Sequence, residues 1–122
     1  MNETVRKTLI ELARKNRTIT YQELSDQCKL GLDMQASEFN RKEIGRIIGE
    51  VSTYEHKHGR PLISSLVLTK GQNEQGDGFY KLCETLGFGS WKKLKADLAF
   101  EIGHMNASFE YWKDDKNYTK YK

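Results

Sequence analysis

Cys28 and Cys83 are the chain's only thiols, and they lie far apart with no CxxC spacing. Neither a disulfide framework nor a cysteine-built zinc cluster is indicated, so two buried, reduced thiols are expected. Histidine is equally scarce. His56 and His58, with Glu55 beside them, form the one cluster suggestive of metal, and the remaining His104 falls far downstream. Zinc needs three or four convergent ligands, so neither a metal site nor a cofactor is expected. Long apolar runs are missing too: "LISSLVL" falls far short of a bilayer, and the opening "NETVRK" has no apolar signal-peptide core. The expectation is a soluble, cytoplasmic protein with no membrane partner. Charge of one sign is also lacking, since the formal net charge is only +3. That is compatible with nucleic acid but too small to argue for it alone.

What is present suits one modest core. At 122 residues and 37% hydrophobic, the chain is too short for two ordinary domains. Residues 2–15 place Val5, Leu9, Leu12 and Ala13 on one face at helical spacing, which predicts a first helix. "RTIT" reads as a very short strand. Thr20 then stands three residues before Glu23, the capping-box arrangement, so a second helix is predicted over 21–28. "KLGLDMQASEFN" lacks periodicity and reads as a connection with a helical turn. Ile44, Ile47, Ile48 and Val51 repeat at i, i+3, i+4 and i+7, predicting a third helix over about 41–55 that ends near His58, ahead of Gly59 and Pro61.

"PLISSLVL" is rich in branched residues and reads as a strand; "TKGQNEQGDG" reads as a turn segment; "FYKL" either returns as a second strand or starts another helix. Beyond Ser90, a candidate cap, Trp91, Leu94, Leu98, Ile102, Met105, Phe109 and Trp112 recur every three or four residues. This predicts one long helix, with Gly103 as a possible break. The order of elements predicts an α+β fold, a winged helix-turn-helix of three helices plus a β-hairpin wing over residues 1–88. The long C-terminal helix would occupy 89–113 and a flexible basic tail 114–122.

Four stretches carry a family resemblance: "TYQELSDQ", "KEIGRIIGEV", "RPLISSLVL" and "GDGFYKL". In this order, over roughly residues 19–87, they resemble the C-terminal winged-helix domain of alkylguanine DNA alkyltransferases and alkyltransferase-like proteins. The resemblance implies that Tyr21 packs against a DNA phosphate near a flipped base. It implies that Lys42, or Arg41 if the alignment slips by one, enters the duplex in place of that base, and that Gly45 lets the third helix lie close to DNA. One departure is decisive. Where the alkyltransferases carry Pro-Cys-His-Arg, this chain reads "LISSLVL", so the thiolate nucleophile is missing and alkyl transfer is excluded on residue type. The strand and wing are also similar to small bacterial and phage proteins with a "GRPLLS … GxGF" pattern, which supplies a fold-level relative and no activity.

Blander readings accompany each feature. Tyr21 also fits a core-edge aromatic, and Arg41, Lys42, Arg46 and Lys57 a solvated face, because Glu43, Glu50 and Glu55 lie among them. Gly45 and Gly49 admit close approach by a protein helix as readily as by DNA. Ser64 and Ser65 have no nucleophile elbow around them and fit a half-buried strand. Two functions follow. The first is a non-enzymatic binder of double-stranded DNA that uses Tyr21, Arg41, Lys42, Gly45 and Arg46, with Lys70 and the loop over 70–78 on the backbone. The second is a protein-interaction module, such as a phage or bacterial regulatory or defence-associated factor. An enzyme finds no catalytic constellation. The apolar stripe near the C-terminus either folds back on Val5 and Leu9 or pairs with its copy in a homodimer, and its near-heptad spacing favours the dimer.

Overall fold

The structure is a computed structural model that describes residues 1–70 and 76–122. It is an α+β arrangement, mostly helical, with one small two-stranded parallel sheet among the described residues. Helix α1 (Glu3–Arg14) is capped by Asn2, whose side chain accepts from the Val5 N–H at 3.0 Å. Its face of Val5, Leu9, Ile10 and Ala13 is fully buried. Strand β1 (Ile19–Thr20) runs straight into α2 (Tyr21–Gln27) through the capping box: Thr20 Oγ1 accepts from Glu23 N–H at 3.2 Å, and Glu23 Oε1 accepts from Thr20 N–H at 3.1 Å. That reciprocal pair satisfies donors that a helix start otherwise leaves open. Gln22 and Ser25 on α2 then pin the following connection, accepting from the backbone N–H groups of Met34 and Leu32.

Helix α3 (Glu38–Lys57) starts earlier than its apolar repeat suggests, because Ser37 caps it. Ile44, Ile48 and Val51 are buried against α1 in the main core. After α3 the chain departs from the expected wing. Ile63–Leu66 is a 3₁₀ turn, and only Val67–Leu68 is extended, as β2. Residues 62–68 are buried on every side, so no alternation distinguishes strand from buried turn. The Ser64 N–H goes to Ser52 Oγ of α3 at 2.9 Å instead of to a ladder partner. β2 pairs in parallel with β1, Ile19 opposite Val67 and Thr20 opposite Leu68. "FYKL" belongs to α4 (Asp77–Thr85), which buries Phe79, Tyr80 and Cys83 at helical spacing. The expected β-hairpin is therefore not formed among the described residues, and residues 71–75 of its loop lie outside them.

The long C-terminal helix is in fact two. α5 (Trp91–Ala96) ends at Asp97, whose carboxylate accepts from the Ala99 N–H and so caps α6 (Leu98–Lys113). The cap sets the break there, and Gly103 lies inside α6 without interrupting it. The predicted basic tail is helical as well. Asp114 caps α7 (Asp115–Tyr121), and Arg14 holds it through Asp115 at 2.8 Å while its guanidinium lies 4.0 Å over the Tyr118 ring. Trp112 of α6 is fully buried in the same core as Val5 and Leu9, with Met105 and Phe109 packed against it. Residues 89–113 thus fold back onto α1. A second apolar cluster, Leu62, Phe79, Tyr80 and Cys83, is covered by Trp91, Leu94 and Phe100. Among the described residues no helix is long and apolar enough to cross a membrane.

Candidate functional site

The start of α2, the first half of α3, the end of β2 and the start of α4 enclose a groove of about 1030 Å³. Tyr21, Arg41, Lys42, Gly45, Arg46 and Lys70 all line it. Local chemistry explains their placement. The capping box fixes Tyr21 as the first residue of α2, and the parallel pairing of β1 with β2 brings Lys70 and α4 alongside. The Tyr21 hydroxyl accepts from the Gly76 N–H at 3.2 Å, joining segments 55 residues apart. A Cβ on Gly76 would sit 3.1 Å from that oxygen, so the contact requires glycine. Burial pushes the Tyr21 phenol up, the Gly76 N–H opposes that, and Asp77 adds to it. Tyr21 is therefore a neutral phenol at physiological pH, tied internally through its oxygen.

The cations are less free than the sequence suggests. Arg41 Nη1 donates to the Met34 carbonyl at 2.6 Å, and Lys42 stands 3.7 Å from Glu38 on the exposed face. Arg46 donates to Glu43 through Nε at 2.8 Å and also pairs with Glu50. Exposed pairs of this kind contribute about 0–1 kcal/mol and exchange readily for other anions. Asp33, Glu38 and Asp77 also line the groove, leaving it only weakly positive.

Gly45 and Gly49 form an open strip of α3 backbone within the groove. A Cβ at either position would meet nothing within 4 Å, and neither has the positive φ that favours glycine. Each costs the helix about 1 kcal/mol relative to alanine with no internal packing in return. Replacing Gly49 by alanine should therefore raise the melting temperature by about 3–5 °C. The same methyl should weaken any ligand that lies against α3. Thermal melts of the variant, read beside its binding, check both halves; a lower melting temperature would mean that the glycine serves packing.

Ile44, Ile48 and Phe79 supply apolar floor, and Ser64 supplies the hydroxyl among them. Sequence reasoning passed over Ser64 as a strand serine. Its partner Ser52 is 12 residues away, and its only early signal was a polar pair inside an apolar run. None of the three histidines lines the groove. His104 packs among Phe79, Phe88 and Phe100, and burial, then His56, lowers its pKa. The buried Cys83 thiol is pushed up to about 12, which leaves no thiolate at neutral pH. Among the described residues no three His, Cys, Asp or Glu side chains gather as metal ligands.

Compared with protein-family models, with curated proteins and with solved structures, the chain gives no match.

Proposed function

We propose that this protein is a non-enzymatic DNA-binding protein built on a winged-helix plan, with α3 and the groove beside it as the contact surface. The observation that carries the reading is the convergence of Tyr21, Arg41, Lys42, Gly45, Arg46 and Lys70 on one groove from four separate elements. The resemblance to alkyltransferase-like proteins supports it further, since there the corresponding surface receives a base turned out of the duplex. In this reading Lys42 occupies the gap in the stack, Arg46 and Lys70 meet phosphates, and the base lies along the Gly45–Gly49 strip. A volume of about 1030 Å³ has room for a nucleobase and its sugar. The β1–β2 pair and the start of α4 stand where a wing would, without its antiparallel hairpin.

Salt-titrated binding to duplex DNA tests the proposal. Each phosphate neutralised contributes about −0.9 to the slope of log K against log salt. Replacing Lys42 and Arg46 together by alanine should flatten that slope by about 1–2 and lower affinity across many sequences. Folding should be unaffected, because both side chains are exposed. Unchanged binding by the double variant would remove the reading.

The second reading, a protein-interaction module, is favoured by Phe39, 69% exposed at the first turn of α3, and by the internal pairing of Arg46. An apolar protein contact at Phe39 would show little salt dependence, so the same titration separates the two.

A further inference from the structure

We infer that Ser64, positioned by Ser52, is the residue through which the groove selects its occupant, and that it selects a nucleobase presenting a ring carbonyl. This rests on the reading of the groove as a site for an unstacked base. The hydrogen-bond accounting around the pair is specific. Ser52 Oγ accepts the Ser64 N–H at 2.9 Å and donates its own proton to Ser64 Oγ at 2.6 Å. The Ser64 carbonyl is taken by the Val67 N–H that closes the 3₁₀ turn. Both serines are buried, Ser64 with 7% of its surface left, and Ser64 lines the groove. Its hydroxyl proton is thus the one unspent donor of the pair. A hydroxyl held by a neighbour's O–H has lost its rotational freedom, so it meets a ligand without further ordering.

The surroundings sharpen this preference. Ile44, Ile48 and Phe79 wall the floor with apolar groups, and a hydrogen bond made in such a setting discriminates more than one made in water. The second polar hydrogen on the groove is the phenol of Tyr21, which accepts from Gly76 and keeps its proton to donate. Two donors across apolar walls fit a base edge that offers acceptors. An exocyclic amino group there would set donor against donor.

The test uses the full chain and two duplexes that are identical except for one central, mismatched nucleotide, hypoxanthine in one and purine in the other. The two bases differ by the carbonyl at position 6 and its ring proton, and the mismatch lowers the cost of unstacking. The intact protein should bind the hypoxanthine duplex about fivefold to tenfold more tightly, the range expected of one net hydrogen bond. Ser64→Ala should bind both duplexes equally, at the intact protein's affinity for purine. Ser52→Ala, which leaves the Ser64 hydroxyl in place but unfixed, should narrow the preference to about twofold to threefold. Thermal melts of both variants identify any loss caused by misfolding, and Ser52→Ala keeps the test open if Ser64→Ala does not fold. No preference in the intact protein, or an undiminished preference in Ser64→Ala, overturns the inference while leaving DNA binding standing. Binding of neither duplex overturns the DNA reading and this inference with it.

Discussion

Replacing Glu55 by alanine should cost about 3–5 kcal/mol of folding stability, a large share of the roughly 5–15 kcal/mol that holds a domain of this size together. Glu55 is fully buried, and both of its oxygens are engaged. Oε1 accepts from Arg6 Nε at 2.5 Å and Oε2 accepts from Arg60 Nε. Arg6 and Arg60 are themselves buried, and Arg6 Nη2 extends the network to the Tyr121 carbonyl of α7 at 2.7 Å. The ring of Tyr54 lies 5.3 Å from the Arg6 guanidinium and 5.4 Å from that of Arg60. A single carboxylate therefore compensates two guanidinium groups that water does not reach. Without it, two like charges face each other in a weakly screening interior, and rings alone cannot offset that. The exposed Glu50, which pairs with Arg46, is the control, and its alanine variant should move stability by no more than about 0.5 kcal/mol. Removing all three charges together, as Arg6→Met, Glu55→Leu and Arg60→Met, should restore most of the loss, because the penalty arises from the unpaired charges. Urea denaturation decides the matter: equal midpoints for the Glu55 and Glu50 variants would mean that the cluster is wet.

The sequence contains part of this information. Ile44, Ile48, Val51 and Glu55 fall at i, i+4, i+7 and i+11, so the buried face of α3 runs directly into the glutamate. Set in "YEHKH", it looked like one charge among solvated ones or a neighbour of a metal site. Its two partners lie 49 and 5 residues away. Only folding reveals that all three share one dry pocket. The same division holds elsewhere. The Thr20–Glu23 capping box and the apolar face of α1 depend on neighbours within a turn or two, and local pattern finds them. The 3₁₀ turn at Ile63–Leu66 depends on a serine of α3, and the run "LISSLVL" is apolar enough for a strand or a buried turn alike. In the groove, the basic residues of α3 were legible because they share one helix. Gly76 beneath Tyr21 and Ser52 beside Ser64 were not, since each contact joins separate elements.

Truncating Trp112 to alanine should also cost about 3–5 kcal/mol, because a large ring leaves a core that can collapse only partly around the gap. Trp112 is fully buried against Val5, Leu9 and the 3₁₀ turn's Ile63 and Leu66, at the level where α6 crosses α1. Its indole Nε1 has no hydrogen-bond partner, so the net loss lies toward the lower end of that range. The other end of the same stripe behaves differently. Leu98 and Ile102 remain 65% and 50% exposed, and Ile102→Ala should change stability by no more than about 0.5 kcal/mol. Folding back onto α1 thus uses the lower half of a stripe whose spacing alone suggested a partner along its whole length. Urea melts of both variants should show a lower midpoint with an unchanged slope for Trp112→Ala and no shift for Ile102→Ala. Light scattering at micromolar concentration supplies the complementary reading. If α6 is held by its own α1, Trp112→Ala loses stability as a monomer. If the exposed Leu98 and Ile102 ridge joins two copies, Ile102→Ala lowers the molar mass while Trp112→Ala lowers the midpoint, because the two halves of the stripe would then serve different contacts.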